Sequence, residues 1–179
     1  MKALREISLS AALKYVVYSI WLKLFGIFAF ISPLRVFFLR FFGANIGKNC
    51  VIENVSFFNC YRKGFKSLKI GNSCFMGDFT LFDLADAITL QDHVTLAERV
   101  TLITHMNVGF KDHPLQGKFK RSQGSILIKS GSFIGASVII LQGITIGKNA
   151  FIAAGSVVTE DVEDNALYAG VPAKKVRDL

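Results

Sequence analysis

A step of six residues runs through most of this chain. Counting from Ile46 lands on Ile52, Phe58, Gly64, Ile70, Met76 and Phe82. After a slip of two the count resumes at Leu90, Leu96 and Leu102, and after a longer break at Ile128, Ile134, Ile140, Ile146, Ile152 and Val158. Four places beyond these anchors stand small or β-branched residues, among them Cys50, Cys74, Thr80, Val94, Val100, Ser132, Val138, Ala150 and Ser156. Such a period fits neither a helix nor a lone alternating strand. It suits an all-β solenoid, with short strands on flat faces, the large anchor pointing inward and the small residue filling the narrow space near each turn. No single coil buries its own apolar side chains, so each must stack on the next. Gly64, within the basic run RKGFK (62–66), marks a weak turn in the series.

The chain of 179 residues divides unevenly in charge. Residues 1–42 carry Lys2, Arg5, Lys14, Lys23, Arg35 and Arg40 against Glu6 alone, and seven of the 17 Phe, whereas the remainder is close to neutral. We therefore expect an N-terminal helical segment over 1–43 and a repeat domain over 44–179. Ser10 is a candidate cap for a helix over 11–32, which Pro33 would stop. At 1.5 Å per residue that helix would reach about 33 Å. Lys23 near its middle and basic residues on both flanks argue against a crossing and for a helix lying on an anionic membrane surface. The alternative is a helical pair that caps the domain or is buried in an oligomer. No nucleic-acid-binding motif and no small-residue cleavage site are present. Cys50, Cys60 and Cys74 lack CxxC spacing and read as small buried thiols rather than a disulfide or zinc framework.

The repeat runs regularly through VTLIT to a single imidazole, His105, and then breaks into a loop over about 106–127. A histidine fixed on a rigid ledge beside an extruded loop suits general base catalysis near neutral pH.

Two stretches carry a resemblance to a known family. ITLQDHVTLAERVTLITH (88–105) is similar to the coil that delivers the catalytic histidine of the hexapeptide-repeat acyltransferases. IGASVIILQGITIGKNAFIAAGSVVTEDVEDNALYAGVPAKKVR (134–177) resembles the terminal coils and coenzyme A loop of their sugar and polysaccharide O-acetyltransferase members. The resemblance implies a left-handed parallel β-helix with three hexads per coil, acetyl-CoA as co-substrate, and a sugar or lipid-linked saccharide hydroxyl as acceptor. It also implies a homotrimer with sites between neighbours, with no metal and no nucleic acid. With the N-terminal segment it places the chain in the cytoplasm, peripheral to the inner membrane.

By the same resemblance His105 is the base. Asp83 orients the imidazole or accepts from a substrate hydroxyl, with Asp86 a weaker competitor. The backbone N–H of Ala136 steadies the oxyanion. Phe133, where many relatives carry Trp, walls the donor groove. Ala154 and Gly155 leave room for a pantetheine arm, and Lys174, with Lys175 and Arg177, meets the coenzyme phosphates. Asn107 stands where many relatives have a second histidine. His113 and the loop residues Lys111, Lys118, Lys120 and Arg121 lack an assigned role, and His93 reads as a turn residue. Two other functions fit a β-helix. One is a zinc hydrase of the γ carbonic anhydrase kind, which needs three convergent imidazoles from His93, His105 and His113. The other is a non-catalytic scaffold.

Overall fold

The structure, a computed structural model, describes residues 9–28 and 31–179. From Asn45 onward the chain forms short strands that pair almost entirely in parallel, in three sheets that make the faces of a prism. Ile46, Ile70, Leu90, Ile128 and Ile146 lie in register on the first face. Ile52, Met76, Leu96, Ile134 and Ile152 do so on the second. Phe57, Phe82, Leu102, Ile140 and Val158 do so on the third. All fifteen are buried and belong to one continuous core. The hexad count thus names the inward residues except in the first coil, where Phe57 rather than Phe58 points in and Gly64 occupies no strand.

The corners explain the tight spacing. Where the first face turns into the second, Asn49, Ser73, His93 and Asn149 take positive φ. Where the second turns into the third, Phe79, Arg99 and Ser137 do the same. Beyond Asn49 in the first coil, each such residue donates its N–H to a carbonyl of the coil beneath, as His93 does to Asn72 (2.8 Å) and Ser137 to Glu98 (2.9 Å). The left-handed conformation costs little for Asn and more for the rest; the stacked hydrogen bonds hold it. His93 is therefore a turn residue in its backbone geometry.

The third edge, from the third face back to the first, is different. Ile140 to Ile146 keeps the six-residue step. Phe57 to Ile70, Phe82 to Leu90 and Leu102 to Ile128 all exceed it, so every insertion in the coil falls on this one edge.

The N-terminal helices differ from expectation. Helix α1 (Leu9–Phe28) is already formed before Ser10, which is therefore no cap. Pro33 does not merely end it: it sits in the first turn of a second helix, α2 (Ser32–Phe41), where its missing N–H has no helical partner to lose. Helix α2 closes the open end of the solenoid. Leu39 is fully buried, Arg35 donates to the Ile52 carbonyl (2.9 Å), and Arg40 donates to the carbonyls of Ile46 and Gly47 (3.0 and 2.6 Å). These two arginines thus supply donors to three backbone carbonyls of the terminal coil.

Helix α1 docks through Tyr15, Tyr18 and Trp21 onto the insertion of the first coil. That insertion holds a short helix, α3 (Cys60–Lys63), and a 3-10 turn, Phe65–Ser67. Trp21 packs on Phe42 and Phe65 with ring centroids 4.3 and 4.7 Å apart, and Tyr15 meets Tyr61 edge-on at 5.8 Å. Gly64 is required at the bend: its φ is +69°, and a Cβ there would sit 2.6 Å from the Tyr18 hydroxyl. Among the described residues no helix is long and apolar enough to cross a membrane.

Candidate active site

His105 begins the strand His105–Met106, directly after the third face and at the inserted edge. That strand pairs antiparallel with Ser122–Gln123, which pins the base of an extruded loop. The Gly124 N–H closes the base on the Thr104 carbonyl at 3.0 Å. The loop spans 107–121, narrower than the expected 106–127, because Ile126 has already rejoined the first face. Inside it Gln116 Nε2 bridges Asn107 Oδ1 (3.1 Å) and the carbonyls of Gly109 and Phe110. Asn107 therefore braces the loop. His113 Nδ1 accepts from the Leu115 N–H (3.2 Å), within a turn of the loop itself.

Asp83 ends the strand one coil below, with Phe82 beneath Leu102 in register. Its carboxylate is fully buried and receives four donors. Asn59 Nδ2 (2.7 Å) and the Ala85 N–H (3.1 Å) bond Oδ1, while the Thr104 N–H (3.0 Å) and His105 Nδ1 (2.5 Å) bond Oδ2. Burial pushes this carboxyl upward, but the bonds from Asn59 and His105, the histidine's charge and the Ala85 N–H outweigh it and hold the group below its ordinary range. An ionised carboxylate can only accept, so Nδ1 of His105 carries the proton and Nε2 is left as the lone-pair nitrogen. With no exposed surface, Asp83 faces the imidazole and not the solvent, which removes the alternative in which it meets a substrate hydroxyl. Asp86 is drawn elsewhere, into an ion pair with Lys63. Burial also drives the neighbouring Cys60 thiol up to about 12, so it stays protonated. Cys60 and Cys74 are buried as expected, whereas Cys50 is only half-buried.

The other expected site residues lie on a different edge. Phe133 is on the outer side of the second face, stacked on Phe151 at 4.8 Å. Ala136 and Ala154 follow that face at the corner with the third, one coil apart, and the Gly155 N–H donates to the Ala136 carbonyl (2.8 Å). A Cβ at Gly155 would meet nothing within 4 Å, so the backbone there is open to a ligand. Lys174 lies in the terminal strand Lys174–Asp178, which pairs with Ala166–Ala169 beside the same face. The basic tail is thus an ordered strand. Lys174 is ion-paired with Glu160, and Lys175 with Glu163 and Asp178. Within one chain, then, the fold groups Ala136, Ala154, Gly155, Phe133 and Lys174, and separately groups His105 with Asp83; one face stands between the two. His93 lies on the remaining edge, so the three histidines do not converge within a chain.

The family model described as bacterial transferase hexapeptide (six repeats) matches residues 125–160. The galactoside O-acetyltransferase of Escherichia coli (strain K12) is 31% identical over 141 residues, covering 76% of this chain and 64% of its own length. The chain is thus similar to the hexapeptide-repeat acetyltransferases. It spans a little under two thirds of the length of the two galactoside O-acetyltransferases it matches. Among solved structures, a hexapeptide-repeat-containing acetyltransferase from Vibrio cholerae superposes with a TM-score of 0.71 at 25% identity, over 83% of this chain and 81% of its own. A galactoside acetyltransferase in complex with coenzyme A does so with a TM-score of 0.70 at 28% identity, over 82% and 70%. These neighbours and the parallel sheets fit the left-handed β-helix expected of a hexapeptide-repeat acetyltransferase.

Sequence reasoning missed Asn59, which orients Asp83, and Phe58, whose ring stands 6.4 Å from the imidazole. Both precede the first-coil insertion, where the hexad count loses its register. The one signal available was the pairing of that break with the run RKGFK.

Proposed function

We propose that this chain is a coenzyme A-dependent O-acetyltransferase that moves an acetyl group from acetyl-CoA to a sugar hydroxyl in the synthesis of a surface or lipid-linked glycan. The observation that carries the reading is the His105–Asp83 pair, which leaves Nε2 of a partly exposed imidazole (20% of the side chain) as the proton acceptor at the mouth of a walled edge.

His105 Nε2 takes the acceptor hydroxyl's proton as that oxygen attacks the thioester carbonyl. The same imidazolium then returns the proton to the sulfur as the C–S bond breaks. Asp83 acts as a positioning residue: it fixes the tautomer and stabilises the charged ring. The Ala136 N–H is the donor for the developing oxyanion, and small side chains at Ala154 and Gly155 admit the pantetheine arm. Phe133 walls that groove, and Lys174 reaches the coenzyme phosphates. Since the two groups of residues sit on different edges, one protomer's base would meet a neighbour's groove, which favours a homotrimer.

The acceptor is placed at a membrane surface. Helix α1 exposes Leu9, Leu13, Val16, Val17 and Ile20, a stripe at helical spacing opposite its docked aromatic side, and α2 exposes Phe37 and Phe41. Lys23 is exposed on α1 and suits an anionic leaflet. Under this reading residues 1–43 anchor the domain 44–179 peripherally on the cytoplasmic side of the inner membrane.

The decisive test is thioester consumption with membrane-extracted glycolipids. His105→Ala should lower kcat by about 10²–10⁴. Equal turnover by the variant and the native chain would remove the base assignment.

A further inference from the structure

We infer that the acceptor is held by a phosphate or diphosphate group, bound in a basic cleft between α1 and the first-coil insertion. This rests on the reading above, in which His105 takes the acceptor's proton.

Three segments meet at this cleft of about 310 Å³: α1 brings Lys14 and Tyr18, α3 brings Tyr61, Arg62 and Lys63, and the following turn brings Lys66. Lys63 is neutralised by Asp86. Among the described residues, Lys14, Arg62 and Lys66 face no carboxylate at ion-pair distance. Three unpaired cations around one concavity repel each other, and an anion seated among them reverses that cost. A guanidinium beside two ammonium groups suits the tetrahedral oxygens of a phosphoryl group. Such a set is not the bland charge of a solvated surface, because it was assembled from two separate parts of the chain, α1 and the first-coil insertion, by the aromatic docking of α1.

The cleft is also joined to the site. A second hollow, of about 190 Å³, shares Tyr18 and Tyr61 as walls and is otherwise lined by Tyr15, Ser19, Phe57, Phe58, Asn59 and Cys60. Asn59 bonds Asp83, and the Phe58 ring stands by His105. The order along the surface is cations, aromatic walls, imidazole. That order fits a sugar at His105 whose phosphoryl linkage lies in the basic cleft. The chemistry is common to two sources, a polyprenyl-diphosphate sugar and a nucleotide sugar. The exposed apolar stripe of α1 gives a polyprenyl chain somewhere to run, and it offers nothing to a nucleoside.

The test uses the full chain saturated with coenzyme A, so that the donor groove is filled. Calorimetric titration with inorganic pyrophosphate should give binding that His105→Ala retains and that the double variant Arg62→Gln, Lys66→Gln weakens by roughly tenfold or more. In transfer assays the ratio of kcat/KM for a diphosphate-linked hexose over a neutral alkyl glycoside of the same hexose should exceed one and collapse towards one in the double variant. The KM for acetyl-CoA should stay put. A polyprenyl-diphosphate hexose outperforming a nucleotide hexose assigns the lipid source, and the reverse assigns the nucleotide. Pyrophosphate binding that ignores the double variant, or no preference for phosphorylated acceptors, overturns the inference while leaving the base assignment standing. Binding without any acetyl transfer by the native chain would instead retain the anion site and sink the proposed reaction.

Discussion

At the scale of single residues, the central fact is how completely Asp83 is committed. Four donors converge on it and it has no surface, so it can do little but hold an imidazole. Asp83→Asn keeps the shape but replaces an acceptor by an amide that can donate to Nδ1, moving the ring proton to Nε2. We expect kcat to fall on the order of 10³–10⁴ with little change in KM, checked by steady-state kinetics. The same carboxyl has a stability signature. Its pKa is lower folded than unfolded, so it stabilises the native state above the ordinary carboxyl range, about pH 4. That contribution is lost as pH falls through the depressed value. The stability gap between the native chain and Asp83→Asn should therefore be full near neutrality and shrink in acid, as read by denaturant melts across pH. Asp83 was legible beforehand through the family resemblance, and the observed register of Phe82 under Leu102 agrees with it. Asn59 was not, because a positive φ and a helical detour leave no trace in a count of sixes.

At the scale of elements, the repeat is held by close backbone approach between coils. Gly135 illustrates it: an added Cβ would lie 2.6 Å from the Ala154 N and 2.8 Å from the Ile152 carbonyl oxygen, neither of which can move without its strand. Gly135→Ala should cost about 1–3 kcal/mol and lower the Tm, measured calorimetrically. The neighbouring Ala136 N–H should shift with it, so transfer activity should fall alongside stability. The strands were readable from hydrophobic spacing. The ends were not: Arg35 and Arg40 look like membrane-flanking charge in the sequence, and only the stacked coil reveals that its last carbonyls need donors.

For the whole molecule, the proposed reaction would make assembly part of the chemistry, because its two groups of candidate residues lie on separate edges of one chain. Sedimentation at working concentration should give three times the chain mass; a stable monomer with full activity would refute the shared site. Helices α1 and α2 should also bring that assembly to lipid. Flotation with anionic vesicles should recover the native chain, and Phe37→Ser with Phe41→Ser should reduce the floated fraction severalfold. Both rings are exposed and remote from Leu39, so the cap on the solenoid should survive.

The confinement of every insertion to a single edge of the prism has a consequence for how such proteins diversify. Two corners are locked by hydrogen-bonded turns that keep the six-residue step in every coil after the first. The remaining corner carries the imidazole, its bracing loop and the detour toward α1, and it can lengthen or shorten without changing the spacing of the rungs. Under the proposed function, acceptor preference would therefore be rewritten on that margin while the scaffold beneath it stays the same.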